Sequence, residues 1–348
     1  MWTRRDLKEQ AKFHLRGKYW MAFVVTLILG ILAGNGGGSG AGTSYNFSGM
    51  GNRHSYNGST YGNGRFFLDS RLVDEINRFL ASPWFQLAAA FVIAAVIFGI
   101  AYQIFVAGPI RVGAMRWFSR SRETEGTPSV SQMFSLFRRG RYMGSVSGML
   151  WRGFWLWIWS TLSSIPLIAA LIFFVFGNNL VNIVSENGGY IINFNLDSSG
   201  TGFVGILAVV MGIMISAALS ILVVVKTYSY HLVPWILADN PAIGARRALT
   251  LSKNLTRGNK FEMFVLDLSF IGWYLLGLLL CCVGVIFVTP YYTATYTELY
   301  AALRDAGVNN GEVTMEELGY KRVQPSSIEG YETAAVYSVN EVSNDPEV

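Results

Sequence analysis

The sequence predicts an all-α fold: a polytopic membrane helical bundle, with about six spans in three hairpins and amphipathic helices on the cytoplasmic surface. Three observations carry that expectation. Only 14% of the 348 residues are charged against 52% hydrophobic, with a mean hydropathy of +0.36, whereas water-soluble domains run near 25% charged. Several apolar runs are long enough, at about 1.5 Å per helical residue, to cross roughly 30 Å of hydrocarbon. Lys and Arg gather at the ends of those runs. The formal net charge of +5 therefore points to topology and to anionic lipid headgroups at the inner surface, and no nucleic-acid partner is expected.

In chain order, residues 3–16 (TRRDLKEQAKFHLR) predict a polar helix with Leu7, Ala11 and Leu15 on one face. Thr3 and Asp6 stand at capping-box spacing. Such a helix either lies on the inner membrane surface or is a solvated linker. Gly17 breaks it, Tyr19 and Trp20 mark the interface, and a first span covers about 19–34. This span is read as retained and not as a cleaved signal peptide. Residues 35–66 are rich in Gly, Ser, Asn and Tyr, without periodicity, and read as a disordered outer loop. Its two glycosylation-type triplets, at Asn46 and Asn57, are short and common by chance. Helical spacing returns over residues 68–80. The second span, about 84–108, carries no charge.

Residues 111–141 hold seven arginines and read as an inner loop, with Val130, Met133, Phe134 and Phe137 forming an amphipathic face. A third span over about 146–176 contains Pro166 as a kink. The fourth covers about 203–225, the fifth 261–280 and the sixth 283–302. Between the fourth and fifth, Asn240-Pro241 opens another amphipathic helix, with Ile243, Ala248, Leu251 and Leu255 on one face. From residue 307 the chain is acidic and reads as a disordered cytoplasmic tail. With both termini inside, 23 of the 27 Lys/Arg fall in inner segments. The other four lie in the long first outer loop, where the positive-inside rule has little weight. The expected location is the plasma or inner membrane.

One layout occurs three times: a surface helix, a basic glycine turn, an aromatic residue, then a span. The turns are Arg16-Gly17-Lys18-Tyr19, Arg138-Arg139-Gly140-Arg141-Tyr142 and Arg257-Gly258-Asn259-Lys260-Phe261. Either three repeated units or convergence on the same interfacial chemistry accounts for it.

Three stretches bear a likeness to a known family: MWTRRDLKEQAK…GKYW at the start, KTYSYHLVPWILADNP at a span end, and ALTLSKNLTRGNKFEMFVLDLSFIGW followed by GVIFVTPYYTATYTELY. Over roughly residues 1–33 and 84–304 the chain resembles the bacterial, mostly Gram-positive, multi-pass membrane family known as domain of unknown function 975. The resemblance implies the membrane fold and no activity. The chain departs from the family pattern after Ile165-Pro166, where Leu167 begins an insertion to about Gly202, and in its longer glycine-rich loop.

The candidate intramembrane polar site comprises Asp267, Arg152, Lys226, Thr293 and Tyr296. Asp267 lies seven residues beyond Lys260 in an apolar helix. A charge at mid-membrane costs about 2.5–3.5 kcal/mol on insertion scales, so it needs a partner. Superposing the repeats brings Arg152 to a similar depth, which predicts an Arg152–Asp267 contact. That contact reads either as a proton-sensitive gate or as glue between helices. Thr289, Thr293, Tyr296, Thr297 and Tyr300 form a stripe that either lines a polar path or bonds between helices. Lys226, Tyr228, Tyr230 and His231, near the end of the fourth span, offer the same choice. Trp20, Tyr142 and Lys260 are expected as interface anchors. No catalytic, cofactor-binding or metal-binding constellation is legible, and adjacent Cys281 and Cys282 are neither a structural disulfide nor a zinc site. No cofactor and no enzymatic activity are expected. The expected partners are membrane lipids and a second copy of the chain or another membrane protein. Two roles remain open: a scaffold or envelope-homeostasis factor, and a transporter or channel component.

Overall fold

The computed structural model describes residues 2–34, 65–68, 75, 77–124, 126–137, 140–177, 181–186, 189–194, 200–279, 283–322 and 337–339. The disordered reading of 35–64, the glycosylation-type triplets and the two cysteines lie outside these residues. Helix dominates throughout, and the all-α class holds. By packing, the chain divides into two units. One comprises Met1–Gly40, Ile100–Leu156 and Val225–Val348; the other comprises Ala41–Gly99 and Trp157–Val224.

The first unit opens with α1 (Arg4–Leu15), whose first-turn Asp6 N–H donates to Thr3 Oγ1 at 3.2 Å. The cap is the one its sequence signals. Gly17 then takes φ +80°, and α2 (Tyr19–Ala33) begins. Gly140 (φ +92°) and Gly258 (φ +84°) occupy the corresponding turns before α5 (Tyr142–Ile172) and α9 (Lys260–Leu268). All three glycines thus hold the left-handed conformation that L side chains avoid.

The centre of this unit is α11 (Val283–Asn309). Against it pack α1, α2, α4 (Gly108–Glu123), α8 (Ala245–Leu255) and α10 (Ile271–Leu279). The stripe Leu7, Ala11 and Leu15 is buried, and α1 packs on α11. Ala248, Leu251 and Leu255 of α8 are buried likewise. Both surface helices therefore turn their apolar faces to protein. Of the two settings expected for α1, neither lipid nor solvent covers its apolar stripe; protein does, because an amphipathic stripe requires an apolar partner but does not name it.

Residues 130–137 form a 3₁₀ helix, not an α-helix. At three residues per turn, Met133 and Leu136 share the buried face while Phe134 and Phe137 stay exposed. The contact with α4 is close enough that a Cβ on Gly113 would stand 1.9 Å from the Met133 carbonyl oxygen. Short α7 (Val233–Asp239) completes the core against α4, with Leu232, Ile236 and Leu237 fully buried.

The expected disorder from residue 307 is corrected in part. Helix α11 continues to Asn309, and residues 312–320 fold back onto the unit. Arg247 bonds both carboxylate oxygens of Glu317 at 2.6 and 3.0 Å. Tyr320–Arg322 (β4) then pairs antiparallel with Tyr337–Val339 (β5).

The second unit contains most of α3 (Pro83–Tyr102), the part of α5 from Trp157 onward and the part of α6 (Gly200–Ser229) up to Val224. Pro166 interrupts the α5 ladder, and the neighbouring Leu167 N–H donates to Ser216 Oγ of α6 at 3.1 Å. Gly212 lets the two helices meet there. A small antiparallel sheet joins Arg65–Leu68 (β1), Val181–Glu186 (β2) and Gly189–Phe194 (β3) in the order β1-β3-β2. It was not expected, and it places residues 65–66, read as disordered loop, in a strand.

Among the described residues, four helices are long and apolar enough to cross a membrane: Pro83–Glu123, Tyr142–Val175, Phe203–Asp239 and Lys260–Leu279. A fifth exists if α1 and α2, bent by 102°, are taken as one broken span. The second expected span thus runs on without a break through a π-helical turn, Gln103–Ala107, into α4. The expected sixth, α11, is not among them; its Thr and Tyr residues from Thr289 to Tyr300 are mostly buried inside protein. The fifth is broken at Ser269–Phe270, between α9 and α10.

Candidate functional site

The polar centre of the first unit is built where α9, α11 and the end of α6 converge. Asp267, in the last turn of α9, accepts three tyrosine hydroxyls: Tyr228 at 2.6 Å, Tyr292 at 3.0 Å and Tyr296 at 2.5 Å. Tyr228 comes from α6, and the other two stand one turn apart on α11. Three phenolic donors supply much of the solvation that a carboxylate loses on leaving water. Aromatic packing supports them. His231 lies 4.4 Å from the Tyr296 ring and 5.6 Å from Trp235, centroid to centroid.

Arg152 is buried, and its Nε donates to the Tyr230 carbonyl at 2.9 Å. The expected Arg152–Asp267 pair is therefore corrected. The arginine is bound to the backbone where α6 ends, and the aspartate is occupied by tyrosines. A shared layout relates depth along two helices but not rotation about them, and rotation decides which side chains meet.

The Thr/Tyr stripe of α11 is fully engaged. Thr289, Thr293 and Thr297 donate to carbonyls four residues back, at 3.0, 2.9 and 2.9 Å. Thr297 also accepts from Trp235 Nε1 at 3.1 Å, and Tyr300 donates to Asp239 at 2.6 Å. Lys226 lies on α6, near enough to Lys260 for their charges to repel, and Lys260 has Lys253 and Arg257 close by as well. Trp20 is largely exposed. The Tyr142 hydroxyl donates to the Phe105 carbonyl at 2.7 Å.

The structure also brings together residues that the sequence did not single out. Glu298, 3% exposed on α11, accepts from Arg122 Nε of α4 at 2.8 Å, and His14 Nδ1 of α1 stands at the same distance from its other oxygen. Further along α11, Arg304 donates to Tyr320 at 2.6 Å and lies 3.6 Å from Glu123 and 3.8 Å from Asp239. A glutamate four turns into a helix, with a helical cation partner more than 170 residues away, carries no local signature.

The model of the family described as "Protein of unknown function (DUF975)" matches residues 1–307. The chain belongs to the DUF975 family. No curated protein matches it, and no solved structure does. The DUF975 match covers the Asp267 cluster and the Glu298 pair, and it ends at Gly307, before the segment that carries Glu317 and Tyr320. Among the described residues, no group of three or more His, Cys, Asp or Glu side chains is placed to hold a metal ion.

Proposed function

We propose that this DUF975 chain is a non-catalytic membrane scaffold or envelope-homeostasis factor of the plasma or inner membrane, multi-pass, with both termini cytoplasmic, acting through contact with lipid. The membrane setting is supported by large apolar side chains left uncovered on α3, α5 and α6, such as Trp84, Phe91, Phe98, Trp157, Phe203 and Met214. Exposed apolar area on that scale needs a nonaqueous surrounding. The cations around Lys260, beside exposed Phe261, suit anionic headgroups at the edge of that layer.

The observation that carries the scaffold reading is the state of the α11 stripe. Its Thr hydroxyls already bond to carbonyls of α11 itself, and its Tyr hydroxyls bond to carboxylates outside α11, so the tyrosines work as glue between helices. A transporter or channel component is the second reading, favoured by one feature. The Tyr274 hydroxyl, close to Asp267, is buried without a hydrogen-bond partner among the described residues. A flux assay on purified protein in liposomes separates the two. The scaffold reading expects the same leak from wild type, Asp267→Asn and empty vesicles for every solute tried. A solute flux that wild type supports and Asp267→Asn abolishes overturns it.

A further inference from the structure

A cavity of about 250 Å³ opens in the first unit, away from the Asp267 cluster. Four pieces of chain wall it: one face of α4 (Arg116, Ser119, Arg120, Glu123), the Gly140-Arg141 turn, residues 238–242 at the end of α7, and Leu318–Tyr320 of the returning tail. The α4 residues recur at helical spacing, three or four apart, so all four side chains share one side of that helix.

The charges in this cavity are uneven. Three arginines face two carboxylates, and both carboxylates are already engaged. Asp239 accepts from Tyr300 and lies near Arg304; Glu123 accepts from Tyr320 at 3.0 Å and also lies near Arg304. No ion pair of Arg116, Arg120 or Arg141 occurs among the described residues. Two polar atoms are left over. Arg116 Nη1 and Ser119 Oγ are buried without a hydrogen-bond partner among the described residues, and Ser119 is only 8% exposed. A buried donor left unmade costs about 1–3 kcal/mol, so such groups mark a place where a ligand would complete the bonding.

The geometry points to a binding site for a phosphate-bearing anion, held by Arg116, Arg120 and Arg141 with Ser119 as a neutral donor. Guanidinium forks match phosphate oxygens in shape and charge. Measured from Gly108, where the uncharged run of the expected second span ends, Arg116 lies about 12 Å along the helix and Glu123 about 22 Å. The headgroup layer is only about 5–8 Å deep on each side. A soluble phosphorylated compound therefore reaches the cavity more readily than a lipid headgroup does. The inference goes beyond the scaffold reading and stands or falls separately from it.

The test is calorimetric titration of the full chain, in nanodiscs of phosphatidylcholine, with pyrophosphate at constant ionic strength. Saturable binding is expected, not reproduced by chloride, roughly tenfold weaker in the double variant Arg116→Gln/Arg141→Gln, and several-fold weaker in Ser119→Ala. If the double variant does not fold, as judged by its melting transition, Ser119→Ala decides. A second set of nanodiscs containing phosphatidylglycerol distinguishes the source. Unchanged pyrophosphate affinity assigns the site to soluble phosphates, and competition by the lipid assigns it to headgroups. No saturable binding in either nanodisc, or binding equal in wild type and Ser119→Ala, overturns the proposal.

Discussion

The Tyr296 hydroxyl of α11 donates to the Asp267 carboxylate of α9, and Tyr292 reaches the same oxygen from one turn earlier. One carboxylate thus ties two helices at two levels, and Tyr228 adds the end of a third. Truncation should reveal the asymmetry between donors and acceptor. Asp267→Ala strands three hydroxyls and should cost about 1–3 kcal/mol, whereas Tyr296→Phe, which leaves Asp267 two donors, should cost about 1 kcal/mol. Asp267→Asn keeps an acceptor oxygen and should fall between them. Thermal unfolding in detergent, followed by tryptophan fluorescence, checks the order.

Glu298 joins α1 to α4 through His14 and Arg122. Glu298→Ala should loosen α1 first, because both freed side chains, His14 and Arg122, can be rehydrated at the surface while the α11 core persists. The expected loss is about 1–3 kcal/mol, below the 3–5 kcal/mol that breaking a wholly buried pair costs. Trypsin should then cut at Arg16 and Lys18 faster than in wild type. Equal cutting rates would remove this carboxylate from the docking of α1.

Two glycines should fail for different reasons. At Gly258 the space for a Cβ is open but φ is +84°, so Gly258→Ala costs about 1–2 kcal/mol through strain, and Gly258→Asn recovers part of it. At Gly113 a Cβ would meet the Met133 carbonyl oxygen. There Ala should cost about 1–3 kcal/mol by overpacking, with Asn no better. Melting temperatures of the four variants separate conformational from steric cost.

The Arg247–Glu317 pair should make the returning tail acid-sensitive. The hydrogen bond from Arg247 holds the Glu317 carboxyl below its usual value of about 4.5. A depressed folded-state pKa gives stability that is present above the unfolded value and lost as pH falls through the folded one. Attachment of residues 312–320 should therefore weaken below about pH 4.5. The side chains are 40% and 31% exposed, so the effect should stay within about 1 kcal/mol. Hydrogen exchange of the tail amides between pH 7 and pH 4, with Glu317→Gln as the pH-independent reference, measures it.

Much of the local structure was legible in the sequence. Thr3 caps α1 as its spacing predicts, and the three turn glycines share the left-handed conformation. Asp267 was recognisable as a charge that had to be satisfied, but its partners were not: they come from α6 and α11, 25 to 39 residues away in sequence. Likewise the stripe on α11 signalled polar contacts without saying whether water or neighbouring helices would make them. The order of residues 310–320 depends on Arg247 and Asn240, which no pattern within that acidic segment reveals.

The sequence by itself determined the class of solvent, the helical periods, the breaks between helices and the need to satisfy Asp267, because each follows from residue chemistry within one or two helical turns. Only the tertiary structure decided that α1 and α8 bury their apolar faces in protein, that tyrosines and not Arg152 hold Asp267, and that Glu298 and Arg304 bind distant parts of the chain together. Those outcomes depend on how helices rotate and cross one another. That rotation is set by the packing of many side chains at once, and a periodic pattern read along one helix does not contain it.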